Sequence, residues 1–267
     1  MRRQRKVWIL GLTGALLVVA LGCGTIDFAN LDIETIEVGE LQRETRVVEL
    51  GDAEEVRANV RMGAGNLEIG GGAAALMEAD FAYNVAEWQP EVEYEDERLT
   101  VRQPRSEKLP FDEDVQYEWD LAFNNDVPLD LRIDFGAGNG EVDLRDLSVT
   151  NLDMKLGAGD VELDAQSNET LERFELDMGA GDVRIDLRGA WTDDVDVTIQ
   201  GGVGKTTLRL PEDIGVRVSV TKGIGGINAD GFRIDDGDYV NDAYDDAEAV
   251  IYVTIQAGIG QINLELD

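Results

Sequence analysis

The chain has 267 residues, 43% of them hydrophobic, with 56 acidic residues against 23 basic ones and a formal net charge of −33. That apolar content suits a folded core, and the charge excludes a nucleic-acid surface, which needs clustered Lys and Arg. Histidine is absent and Cys23 is the one cysteine, which removes Ser–His, Cys–His and zinc–histidine chemistry, intrachain disulfides and thiolate metal clusters. The acidity has three readings: a solvated, self-repelling exterior, adaptation to high salt (lysine is scarce relative to arginine), or cation binding.

Residues 1–22 read as a signal peptide. Arg2, Arg3, Arg5 and Lys6 are positive, Val7 to Leu21 is apolar, and the small Gly22 precedes Cys23. The run Ala20-Leu21-Gly22-Cys23 resembles a bacterial lipobox, which implies cleavage before Cys23 and a diacylglyceryl thioether on its sulfur. The alternative is an uncleaved N-terminal anchor helix. Both readings export the rest of the chain, and lipidation would hold it to a membrane, since stable anchoring takes more than one acyl chain. Residues 23–45 are expected to form the lipidated tether, leading into a first strand. Nothing after residue 23 approaches a membrane span.

From there the dominant signal is two-residue alternation of apolar side chains. Leu131-Arg-Ile133-Asp-Phe135, Leu152-Asp-Met154-Lys-Leu156 and Phe174-Glu-Leu176-Asp-Met178 show it, as do Val195–Ile199, Val216–Val220 and Ile251–Ile255. Such segments are half-buried strands. A glycine mark punctuates them: Gly63-Ala-Gly65, Gly136-Ala-Gly138, Gly157-Ala-Gly159, Gly179-Ala-Gly181, Gly202-Val-Gly204, Gly223-Ile-Gly225 and Gly258-Ile-Gly260. From the second copy to the sixth the spacings are 21, 22, 23 and 21 residues, the period of a repeat architecture.

The parity of alternation changes at each mark. Leu152, Met154 and Leu156 are even-numbered, whereas Val161 and Leu163 beyond Gly159 are odd. A one-residue slip turns every later side chain to the wrong face unless the backbone absorbs it, which glycine does through positive φ or a bulge. The marks are therefore expected to be structural corners, with the middle Ala, Val or Ile pointing into the core. The predicted fold is all-β: a β-solenoid or β-roll of about 22-residue units. Longer gaps at 70–131 and 230–250 read as insertions or caps, and Ile262–Leu266 is expected at a sheet edge with Glu265 and Asp267 discouraging further pairing.

Few motifs suggest chemistry. Gly204-Lys205-Thr206-Thr207 resembles the end of a phosphate loop, but Ile199 stands where its first glycine is required and a strand pattern follows where a helix is needed. Seven marks with no following helices likewise argue against dinucleotide binding. The best cation candidate is Asp235, Asp236, Asp238, Asp242, Asp245 and Asp246, since calcium takes six to eight oxygens and a flexible acidic loop can supply them. The spacing is not that of an EF-hand, and the competing reading is a solvated loop. No other cofactor is expected. Paired carboxylates such as Asp193/Asp194 and Asp112/Asp114 could serve glycoside cleavage, but no pair is preferred. Trp88, Trp119 and Trp191 suit core positions better than sugar platforms.

Several stretches carry a family resemblance. The run from Gly63 through Phe81-Ala-Tyr83-Asn84, Trp88, Pro90 and Tyr94 resembles the N-terminal part of the bacterial toast-rack family, and Leu121–Asp164 resembles its repeat region. The closing segment with Tyr239, Asn241 and Tyr244 resembles the C-terminal domain of LiaF-type cell-wall-antibiotic-response proteins. The resemblance covers roughly residues 35–267, and it implies an exported β-solenoid with a loose link to envelope-stress signalling. It brings no catalytic residues. LiaF-type proteins carry several N-terminal membrane helices where this chain carries a lipoprotein signal, which puts direct control of a cytoplasmic kinase in doubt.

The expected organisation is a signal peptide (1–22), the tether (23–45), an N-terminal toast-rack region with its insertion or cap (46–130), and a repeat region with a LiaF-like end (131–267). The expected function is that of a non-enzymatic, lipid-anchored binding or scaffolding module of the cell envelope. Its expected partners are the membrane and an envelope protein or glycan. A calcium-stabilised adhesin or surface structural protein, and a carboxylate-based polysaccharide-active enzyme, are the alternatives. Cys23→Ser should abolish metabolic lipid labelling and release or mislocalise the protein; continued labelling would refute the lipobox reading.

Overall fold

The computed structural model describes residues 37–105 and 114–267; the signal segment 1–22, Cys23 and Asp112 lie outside the described residues. Among the described residues, fourteen strands form a single open sheet. They are β1 (Gln42–Val48), β2 (Val56–Gly71), β3 (Met77–Tyr83), β4 (Glu91–Glu95), β5 (Arg98–Arg102), β6 (Tyr117–Phe123), β7 (Leu129–Asp143), β8 (Val149–Asp164), β9 (Arg173–Asp186), β10 (Val195–Leu210), β11 (Gly215–Asn228), β12 (Arg233–Asp235), β13 (Asp238–Val240) and β14 (Val250–Leu266). The strand order is β1-β3-β6-β2-β7-β8-β9-β10-β14-β11-β13-β12, with β5 on β2 and β4 on β5.

Seven strands (β2, β7, β8, β9, β10, β14 and β11) run parallel and carry one glycine mark each. Each is 14–17 residues long and is creased at its mark. The arms on both sides of the crease contribute to one core: Leu152, Met154 and Leu156 before it and Val161 and Leu163 after it are all buried. The parity slip therefore sits where the sequence places it.

Register explains why the marks must be glycine. Gly138 pairs with Gly65, Gly159 with Gly138, and Gly204 with both Gly181 and Gly260. The second glycines from Gly65 to Gly260 have φ between +131° and +157°, a region L-residues rarely occupy. From Gly136 onward, a Cβ at either glycine of a mark would come closer than 3.0 Å to the backbone carbonyl oxygen of a glycine one strand away. No rotamer relieves that overlap, because both partners are main chain.

Two expectations need correction. The middle residue of each mark points outward, not into the core: Val203, Ile259 and Ile224 are 51%, 52% and 73% exposed. It sits at the outside of the bend, and the core is filled instead by the residue before the first glycine, such as Phe135 or Leu156, and the second residue after the last, such as Val161. Ile262–Leu266 is not at an edge. β14 inserts between β10 and β11 and pairs in parallel with both. Glu265 and Asp267 accordingly make ion pairs, with Arg209 (3.5 Å) and Arg188 (2.9 Å).

The segment before Leu131 extends the sheet at its β2 end. β5 lies on the first arm of β2 and β6 on its second arm, and antiparallel β4, β3 and β1 lie outside them. Phe81, Trp119, Tyr117 and Trp88 fill that end with edge-to-face and tilted ring contacts at 5.4–5.7 Å.

Gly159→Ala adds both a strained φ and a main-chain overlap, so it should lower the urea midpoint by the equivalent of about 3 kcal/mol or prevent folding. Ala158→Ser, one residue away on the exposed crest, should change it by less than about 0.5 kcal/mol.

Candidate functional site

Two grooves flank the crease, one lined by charges of both signs and the other mainly acidic. The larger, about 1450 Å³, runs across the strands along the first glycine column. Its wall is one register row of outward side chains: Arg102, Arg61, Asp134, Lys155, Asp177, Gln200, Gln256 and Thr221. Without side chains the glycines leave a low floor, and from Arg61 to Asp177 the row alternates in charge before ending in the neutral Gln200, Gln256 and Thr221. Arg61 reaches Asp134 at 3.3 Å, and Lys155 lies between Asp134 and Asp177 in register. Gln103 accepts the Gly63 N–H through Oε1 at 2.7 Å, which fixes the end of the groove where the neighbouring strand is interrupted.

The second groove, about 980 Å³, lies on the other arm. There Asp80, Asp120, Glu68, Glu141 and Glu162 stand side by side on five adjacent strands, and Arg184 ends the row. Like charges directly opposed across a sheet destabilise it. Burial, followed by the carboxylates of Asp120, Glu141 and Glu118, pushes the Glu68 carboxyl above its ordinary value.

The acidic stretch singled out for calcium is organised by arginines. Arg217 pairs with Asp238 at 2.7 Å and Asp235 at 3.6 Å, and Arg233 pairs with Asp245 at 2.6 Å. Asp236 occupies a turn with φ +50°, Asp242 is exposed, and Asp246 ends a short 3-10 turn. No group of three or more acidic side chains is placed to hold a metal ion among the described residues. The Lys205-Thr206-Thr207 segment continues β10 as strand. Trp88, Trp119 and Trp191 are buried, so none is a sugar platform.

With this architecture in place the comparisons are decisive. The family model for the N-terminal domain of toast_rack (DUF2154) matches residues 37–172 and 166–209. A crystal structure of a candidate cell adhesion protein from Clostridium sporogenes is 30% identical, covering 85% of this chain and 100% of that one, with a TM-score of 0.66. The chain belongs to the toast-rack family. A candidate adhesin from Bacteroides fragilis is also similar (13% identity, 84% of this chain and 97% of that one, TM-score 0.38). So is a candidate lipid-binding protein from Parabacteroides distasonis (15%, 83% and 96%, TM-score 0.31). No curated protein matches.

The residues that carried the sequence resemblance have structural duties in this toast-rack chain. Asn84 donates through Nδ2 to the Asp114 carbonyl (2.7 Å) and accepts the Gln116 N–H (2.8 Å). Asn241, 1% exposed, accepts the Val216 N–H at 2.9 Å and donates to the Ile214 carbonyl at 2.7 Å. Tyr244 lies against the Arg217 guanidinium and accepts its hydrogen bond at 3.1 Å. These are brackets between loops and sheet. Sequence reasoning missed both grooves, since their rows join residues some twenty positions apart whose alignment is visible only once the glycine marks are stacked.

Glu68→Gln should remove part of the acidic row's repulsion. Because the folded carboxyl titrates above its ordinary value of 4.5, the repulsion is absent below that range and grows as pH rises through the folded pKa. The variant should gain about 0.5 kcal/mol at pH 7 and nothing near pH 4 in paired thermal melts.

Proposed function

We propose that the chain is an exported, lipid-anchored envelope protein whose creased sheet, a β-roll on the glycine period, is a non-enzymatic binding module of the adhesion type. An extended envelope partner, protein or glycan, would lie in the larger groove, across the strands. The observation that carries this is the groove itself, about 1450 Å³ and lined by alternating charges and glutamine amides on seven successive glycine-marked strands. Long polar side chains at strand spacing offer repeated hydrogen bonds to a polymer, and a cleft that size can accommodate one. Its carboxylates support binding better than acid–base work: Asp134 is held by Arg61, and Lys155 separates it from Asp177.

The similarity of 85% of this chain to a candidate cell adhesion protein supports the same reading. Among the described residues no helix is long and apolar enough to cross a membrane, and attachment would rest on Cys23. The LiaF-type resemblance of the C-terminal segment supports a link to envelope stress as part of the proposal.

The test is binding of the purified full chain to isolated cell walls and to intact cells. Lys155→Ala should weaken binding at least tenfold while the protein stays folded, its melting temperature falling by only a few degrees. Undiminished binding, or release of glycan fragments by the wild type, would contradict the proposal.

A further inference from the structure

The two ends of the glycine-marked stack are built differently. At the β2 end, β5 and β6 extend the sheet and antiparallel strands cover them. At the β11 end, only Arg217 and Val218 of β11 pair with β13. Among the described residues, Ser219–Asn228 has β14 on one side and no strand on the other. This free edge is ten residues, roughly 33 Å of strand. The core is open there too. Val220 and Ile227 face inward but are only partly buried, whereas their β14 partners Ile255 and Ile262 are 1% and 2% exposed. Ile224, at the crest, is 73% exposed, and Ile259 and Val203 follow it in register on the next two strands.

Charge singles out the same end. In a chain of net charge −33, no Asp or Glu occurs from Ile214 to Ala229, from Ala249 to Leu264, or from Val197 to Pro211. Those runs contain most of β11, β14 and β10. The one charge within the free edge, Lys222, folds back so that Nζ donates to the Gly225 carbonyl of its own strand at 2.5 Å. The acidic row from Asp80 to Glu162 on the second arm would repel a second copy.

We propose that the Ser219–Asn228 edge is a homotypic docking surface, on which a second copy of this chain seats its own β11 edge about a two-fold axis. The occupant follows from the edge's requirements. An approaching chain must be creased at the same place, supply free backbone donors and acceptors, bring apolar side chains to Val220, Ile227 and Ile224, and carry no acidic repulsion. A second β11 meets all four, and the two-fold keeps the acidic rows near the two β2 ends far apart. A lipid surface could take the apolar crest but leaves the free backbone groups of the edge unpaired. Isologous pairing of edges closes after two copies instead of running on into a fibre.

The full chain in detergent micelles should scatter light as a dimer whose dissociation constant falls as salt screens the remaining repulsion. Ile224→Asp, on the exposed crest, should weaken dimerisation at least tenfold, while Leu41→Asp, exposed elsewhere, should not. Hydrogen exchange of the Ser219–Asn228 amides should slow several-fold as protein concentration rises through the dissociation constant. A wild-type monomer at all concentrations overturns the proposal. So does a dimer indifferent to Ile224→Asp, or a monomer whose Ile224→Asp variant loses only its sedimentation with anionic phosphatidylglycerol vesicles.

Discussion

Everything in this sheet depends on how closely neighbouring strands approach at the crease. From Gly136 onward the contact there is main chain against main chain: the carbonyl of one glycine fills the space a Cβ would occupy on the next. Flexible side chains elsewhere can adjust to a crowded neighbour, but two backbones in register cannot. That contact holds the seven creased strands in one alignment and so fixes both arms. It also decides which side chain faces in, since each mark spends one residue of alternation at the outside of the bend.

Alignment then turns charge into pattern. On one arm, rows of opposite sign are stitched by cross-strand pairs such as Arg57–Asp130 (3.7 Å) and Arg132–Asp153 (3.2 Å). On the other, a row of carboxylates stands unrelieved until Arg184. Exposed pairs of the first kind add little stability each. Their consequence is a surface that is balanced on one arm, strongly negative on the other, and without acidic side chains along Ser219–Asn228. The chain's large net charge is thus unevenly spread, and that distribution decides which faces a partner can approach.

Much of the fold was legible in the sequence because glycine and alternation are local signals. The strands at Leu131–Phe135, Leu152–Leu156 and Phe174–Met178, the parity slip and the structural duty of the glycines all follow from residues within a few positions of one another. Two features do not. The outward turn of Val203, Ile224 and Ile259 runs against their hydrophobicity, since the bend leaves those positions no interior to enter. The insertion of β14 between β10 and β11 is a tertiary choice: β14 carries the same mark as its neighbours, and nothing local distinguishes an edge strand from an interior one. The grooves were illegible for a related reason. Lys155 and Asp177, or Glu68 and Asp120, meet only through long-range register. The arginines that hold the acidic stretch near Asp238 and Asp245 are equally remote or turn-dependent, so composition alone suggested a cation where guanidinium groups already stand.

Native-state hydrogen exchange at the second glycine column tests the central claim most directly. If the crease is the packed spine of the sheet, the amides of Gly138, Gly159, Gly181 and Gly204 should exchange only through global unfolding, as slowly as that of buried Leu176 and with the same denaturant dependence. Rapid, denaturant-independent exchange at those glycines, with Leu176 still protected, would mean that the creases are loose surface bends and would contradict the account.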